Sequence, residues 1–197
     1  MVHPLQFLKY LIPYTIIQAP QKAGERTMAV KTKKLALMGL LTAIALTIFM
    51  VEAQIPPIVP IQGVKLGLSN IVTVFTVFVL GPWEGAAVLA CRIFMGAVFG
   101  SFGSIFYSAA GGLCAILVTV LLRRILRKNQ IWVAGCLGAV AHSIGQMIVA
   151  VILAGTPCLI WYLPVMVVCS LITGLFTGLC AQFLTNRGKG IWKTFLK

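Results

Sequence analysis

Apolar residues run through this chain in long blocks, and glycine, proline or basic residues close each block. A helix crosses the hydrocarbon core of a bilayer with about 20 apolar residues. Read by that length, the pattern predicts six membrane-spanning helices. The first covers about Leu35–Val51 and follows Lys31, Lys33 and Lys34. The second covers about Leu66–Leu80 and stops at Gly81-Pro82. The third covers about Glu84–Phe99 and ends among Gly100, Gly103 and nearby serines. The fourth covers about Ile105–Leu122 and stops at Arg123-Arg124. The fifth covers about Ile131–Leu153, ended by Gly155 and Pro157, and the sixth about Leu163–Leu184, ended by Asn186-Arg187-Gly188. The second and third are short for a crossing.

Composition agrees with this reading. The chain is 60% apolar and 10% charged, with a mean hydropathy of +1.02, so it cannot supply the polar surface of a soluble domain of 197 residues. Lipid must be the solvent for most of it. A net charge of +13 would suggest nucleic acid in a soluble protein, but no basic stripe with interleaved aromatics is present. The charge instead orients the chain. Basic residues gather before the first block (Lys9, Lys22, Arg26, Lys31, Lys33, Lys34), between the fourth and fifth (Arg123, Arg124, Arg127, Lys128), and in the tail (Arg187, Lys189, Lys193, Lys197). Six crossings put all three clusters on one side, which the positive-inside rule makes the cytoplasm, with both termini there. The expected architecture is an all-α, six-helix integral membrane bundle of the cell membrane. Its membrane domain is expected over 28–186, with a basic cytoplasmic tail over 187–197.

Residues 1–27 are broken by Pro4, Pro13 and Pro20, and the run Phe7–Ala19 is too short to span. No basic stretch precedes it, so it does not read as a signal peptide. Met28 opens MAVKTKKLALMG, which reads like a natural start. Residues 1–27 are therefore taken as an upstream extension without defined structure, the alternative being a short helix on the membrane surface.

Few residues carry candidate chemistry. Arg92 falls near the middle of the third block, where a guanidinium costs roughly 3 kcal/mol or more. It is expected to face the bundle interior, either meeting an anionic substrate group or held by internal contacts, with Glu52 and Glu84 as acidic partners. His142 and Gln146 are one turn apart on one face of the fifth helix, with Ser143, Gly138 and Gly145 nearby. They line a cavity or make interhelical hydrogen bonds. The first external loop, Glu52 to Lys65, holds Pro56, Pro57 and Pro60 and is apolar at Ile55, Ile58, Val59 and Ile61. It is expected to fold over the bundle, which brings Glu52, Gln54, Gln62 and Lys65 to a cavity mouth, with Asn70 just beyond; a plain solvated turn is the other reading. Trp161 and Tyr162 mark the membrane interface or stack on a planar ligand, and Tyr107 shares that ambiguity. Ala36, Gly39 and Ala43 form a small-residue face on the first helix, and Gly174 and Gly178 repeat it on the last. Such faces pack within the chain or dock another membrane protein.

Other features bound the chemistry. The six cysteines show no CxxC pair and no histidine at metal spacing, so neither a disulfide framework nor a metal site is expected. There is no Walker A sequence. There is also no aspartate, which removes Asp-rich magnesium–diphosphate sites, and with three acids in all an enzyme is not expected.

The stretch Met28–Asn186 resembles the membrane family known as Gx transporter, or heptaprenyl diphosphate synthase component I. That family is similar to the substrate-binding S components of energy-coupling factor (ECF) vitamin transporters. The resemblance rests on LALMGLLTAIAL, on the Pro-rich loop leading into GVKLGLSNI, and on GPWEGAAVLACRIFMGAVFGSFGSIFYSAAGG. It implies a six-helix bundle that binds a small nutrient near its outer face, and no cofactor. It also implies an ECF coupling membrane subunit and two ATPases as partners. S components dock through small residues on their first helix, often Ala-xxx-Ala; here Gly39 and Ala43 stand at those positions. The expected function is capture of a small, anionic solute for ATP-driven uptake, with Lys65, Arg92, His142 and Gln146 as leading lining residues. The alternative is a membrane accessory subunit of a heptaprenyl diphosphate synthase, working through its basic cytoplasmic loop and tail.

Overall fold

The computed structural model describes residues 14–55, 65, 67–99, 102–127, 129–188 and 190, with backbone alone for 14–27 and 29. Among these residues the fold is all-helical: α1 (Tyr14–Glu52), α2 (Asn70–Val79), α3 (Pro82–Phe99), α4 (Ser104–Ile125), α5 (Ile131–Ala154) and α6 (Leu163–Arg187), the last preceded by a 3-10 turn (Pro157–Tyr162). Five stretches are long and apolar enough to cross a membrane: Val30–Glu52, Pro82–Phe99, Ser104–Ile125, Ile131–Ala154 and Pro157–Arg187. Large apolar side chains cover their outward faces, among them Phe94, Phe106, Leu117, Ile152 and Phe176. The chain is a multi-pass membrane protein.

Paired contacts run the helices alternately up and down. Lys34 of α1 pairs with Glu84 at the start of α3, so these two helices run side by side in one direction. Gly85 of α3 lies against Val77 of α2, while Arg92 reaches Ser69, so α2 runs the opposite way. On α5, Gly138 faces Thr119 of α4 and Gly145 faces Ala110, and Gly135 lies against Gly178 of α6 and Cys136 against Gly174. Lys34, Glu84, Arg123 and Trp132 therefore share one end of the bundle. Glu52, Gly67, Ser69 and Gln146 lie toward the other.

The second helix departs from expectation. The anticipated span Leu66–Leu80 contains a helix of ten residues only, about 15 Å long against a hydrocarbon core of about 30 Å. Gly67 takes a positive φ of 81°, and turn geometry continues through Ser69 before the helix starts. The ten residues are not a lipid-facing span but the centre of the bundle, since α2 touches each of the other five helices. Seven of its residues are buried, among them Asn70, Thr73 and Thr76, and Thr76 returns its hydroxyl to the Val72 carbonyl at 2.6 Å. Val72, Val74 and Phe75 join Leu41, Ala45, Val88, Ile131 and Ala181 in the main core.

At the other elements the terminators act as their chemistry suggests. Pro82 opens α3, where a missing N–H costs nothing. Gly155 closes α5 in the left-handed conformation at φ 61°. The helix containing the first expected span extends further upstream than Leu35. Its backbone continues back to Tyr14, through part of the segment expected to lack structure. Adding a residue to an existing helix contributes a hydrogen bond without repeating the nucleation cost.

The tightest seam joins α5 to α6. Gly174 and Gly178, which resemble a docking face in the sequence, are packed inside the chain. A Cβ at Gly135 would collide with the Gly178 backbone, which a helix of fixed position cannot yield. Gly135→Leu should destabilise the protein by about 2 kcal/mol, read by thermal unfolding in mild detergent. Gly39→Leu is the control: nothing lies within 4 Å of a Cβ there, so a change within about 0.5 kcal/mol is expected. Equal losses from both would dismiss the seam.

Candidate functional site

A polar cluster fills one end of the bundle, and the shortness of α2 creates it. Where a full span would continue as helix, Lys65 and Gly67–Ser69 run as non-helical backbone. At membrane depth such backbone is tolerated only inside protein or beside a wet cavity, because its N–H groups need partners. Side chains supply them. The Gly67 N–H donates to Glu52 Oε1, from the last turn of α1. The Lys65 N–H donates to Gln146 Oε1 of α5 at 3.2 Å. The positive φ of Gly67 brings its Cα face against the His142 ring, where an added Cβ would lie 3.0 Å from Cδ2. The opposite side of that ring lies against Gly111 of α4.

Arg92 enters the same region from α3. It is 3% exposed and donates through a terminal nitrogen to the Ser69 hydroxyl. Its guanidinium carbon lies 5.9 Å from the Phe49 ring, and the Lys65 ammonium sits over that ring at 3.4 Å, within cation–π range for both. Glu52, also 3% exposed, interacts electrostatically with Arg92 and Lys65 at longer range than a contact ion pair. Glu84, the other acid considered for Arg92, pairs with Lys34 at the far end of the bundle. Four buried polar atoms have no hydrogen-bond partner among the described residues; three belong to this cluster, Glu52 Oε2, Arg92 Nε and His142 Nδ1, and the fourth, Asn186 Oδ1, lies at the end of α6.

The structure brings together Glu52, Lys65, Asn70, Arg92, His142 and Gln146. Asn70, 4% exposed, starts α2 beside Gly138 of α5. Tyr107 instead packs on an apolar cluster of Met147, Ala150, Leu159 and Met166. Trp161 is 82% exposed and stands apart from the cluster. Gln62 lies outside the described residues. Ala36, Gly39 and Ala43 lie on the exposed face of α1, away from the cluster. Two participants were not singled out from the sequence. Ser69 carried a signal, since it adjoins Asn70 in GLSNI; Phe49 carried none, being one apolar residue among many. A further polar contact, between the Ser143 and Ser170 hydroxyls, ties α5 to α6 at the level of His142 and Gln146.

The cluster gathers two basic side chains and one carboxylate, a formal net charge of one positive in a low-dielectric setting. Among comparisons with known proteins, residues 41–184 match the family described as heptaprenyl diphosphate synthase component I. Neither a curated protein nor a solved structure matches the chain.

Two pairs of substitutions test the cluster. Arg92→Met leaves Glu52 buried with Lys65 but without the Arg92 charge and should destabilise by about 3 kcal/mol. Adding Glu52→Gln should cost less than the sum of the two single changes, with a coupling of about 1 kcal/mol or more in a double-mutant cycle by thermal unfolding. Strict additivity would mean the charges do not interact. Separately, Gly67→Ala should cost about 1–2 kcal/mol for its left-handed backbone alone. That loss should persist in a His142→Ala background, where the ring contact is gone.

Proposed function

The chain belongs to the heptaprenyl diphosphate synthase component I family, and from that premise we propose that it is a membrane subunit that binds a small anionic solute at the Glu52–Lys65–Arg92–His142–Gln146 end of its bundle. The observation that carries this reading is Arg92, a buried guanidinium with an unpartnered nitrogen in a helix surrounded by lipid-facing apolar surface. An intramembrane charge of that cost is a functional candidate. In this reading the chain resembles an ECF S component. Its six helices cross the cell membrane with both termini cytoplasmic, α2 completing its crossing with the non-helical residues before it. The Lys34–Glu84–Arg123 end faces the cytoplasm, which agrees with the positive-inside rule. The solute site then faces outward.

The solute is carried without a chemical step on this chain, and energy comes from partners, an ECF coupling membrane subunit and two ATPases. The exposed stripe Ala36, Gly39 and Ala43 would dock the coupling subunit. The description of the matched family favours a second reading, in which the chain is the membrane accessory subunit of a heptaprenyl diphosphate synthase. The basic residues Arg123, Arg124 and Arg127, with the tail, would then recruit the soluble synthase.

Purification of the tagged full chain from its native membrane in mild detergent, with mass spectrometry of what accompanies it, separates the two. A coupling membrane subunit with two ATPases is the expected result. A soluble prenyl synthase without ATPases would replace the transport reading with the second one.

A further inference from the structure

The same cluster narrows the chemistry of the solute, and this step rests on the solute-binding reading. Glu52 and Arg92 are each 97% removed from solvent, and each retains one polar atom without a hydrogen-bond partner among the described residues. The two atoms ask for opposite things. Arg92 Nε is a donor and needs an acceptor. Glu52 Oε2 is an acceptor and needs a donor. Both groups are anchored to one short segment, Glu52 through the Gly67 N–H and Arg92 through the Ser69 hydroxyl. Both anchors lie within Gly67–Ser69, which sets the two groups beside one short stretch of backbone.

Of the other polar groups in the cluster, His142 Nδ1 is also without a partner among the described residues, and two more are engaged. The Lys65 ammonium rests on the Phe49 ring, and Gln146 Oε1 accepts from the Lys65 backbone. Glu52, Lys65 and Arg92 together leave one positive charge, which a ligand of charge −1 neutralises. A plain carboxylate satisfies Arg92 and leaves Glu52 Oε2 unpaired, beside a second negative charge. A carboxylate or phosphate that also carries an N–H or O–H satisfies both.

We propose that the cluster selects a small monoanion bearing a hydrogen-bond donor, a hydroxy- or amido-carboxylate or the phosphate equivalent, whose anionic group meets Arg92 while its N–H or O–H donates to Glu52. Leaving a buried polar group unpaired is what gives such a site its selectivity, since a donor-free analogue forfeits the bond and still strips water from the carboxylate.

Matched probes test this. The purified full chain in mild detergent is dialysed against lactate with propionate, and N-acetylglycinate with 4-oxopentanoate. In each pair the molecules are similar in size and charge, and only the first carries the donor. Retained anions are quantified by mass spectrometry. The expected result is that at least one donor-bearing member is retained about tenfold over its counterpart, and that Glu52→Gln brings the ratio to within about twofold. Arg92→Lys, which keeps the charge and is checked for folding by size exclusion, should reduce retention of both members. Equal retention within each pair overturns the donor requirement and leaves the anion site standing. A preference that survives Glu52→Gln overturns the role of Glu52. Retention of no probe above the level seen with Arg92→Gln overturns the anion site itself, and with it the reading beneath.

Discussion

With lipid as the solvent, burying an apolar side chain gains little over leaving it on the surface, so groups that lipid cannot accept choose the inward faces of these helices. The surface holds Phe94, Phe106, Ile152 and Phe176, while the interior holds Ser69, Asn70, Thr73, Thr76, Arg92, His142, Ser143 and Gln146. These polar groups share the interior with the apolar core around Val72, Val74 and Phe75. Close packing does the rest. At the α5–α6 seam glycines let backbones approach where no side chain would fit. Four serine and threonine hydroxyls of α6 are returned to carbonyls of their own helix: Ser170 to Met166, Thr173 to Cys169, Thr177 to Gly174 and Thr185 to Ala181.

The short central helix follows from the same constraint. A helix enclosed by five others needs no lipid-matched length, and α2 can stop where its surroundings stop. Its late start leaves Lys65 and Gly67–Ser69 as open backbone at depth, and that backbone must be answered. Glu52 and Gln146 answer it, which draws a carboxylate and an amide from distant helices to one point. Arg92 is then held by Ser69, by the Phe49 ring and by the field of Glu52, an environment that lowers the cost of its charge without a contact ion pair. The opposite end of the bundle carries its own pair, Lys34 with Glu84, near the basic end of α4. Charge is thus gathered where polar partners meet it, at the Lys34–Glu84 pair and around the backbone of Lys65 and Gly67–Ser69.

Parts of the site stood out in the chain because polar residues are rare there. Arg92, His142 and Gln146 were conspicuous for interrupting apolar helices, and Glu52 and Lys65 for bounding a proline-rich loop. Their convergence was not legible. It depends on the turn at Gly67, whose positive φ no periodicity announces, and on α1 and α3 running side by side so that Phe49 lies near Arg92. Tyr107 and Trp161 had equal claims by residue type, yet one packs on methionine and leucine and the other points outward. Aromatic residues suit an interface, a core and a ligand alike, so their type alone does not assign them.

The sequence by itself determined the class of solvent, the helical content, most helix boundaries and which residues would be costly to leave in lipid. Those are matters of composition and block length, and they follow from transfer energetics residue by residue. Only the tertiary structure decided that the second block is a buried ten-residue core helix, that Gly174 and Gly178 serve an internal seam, and that Ser69 and Phe49 hold Arg92. These depend on which helix lies beside which, and in an apolar chain hydrophobicity carries almost no information about neighbours.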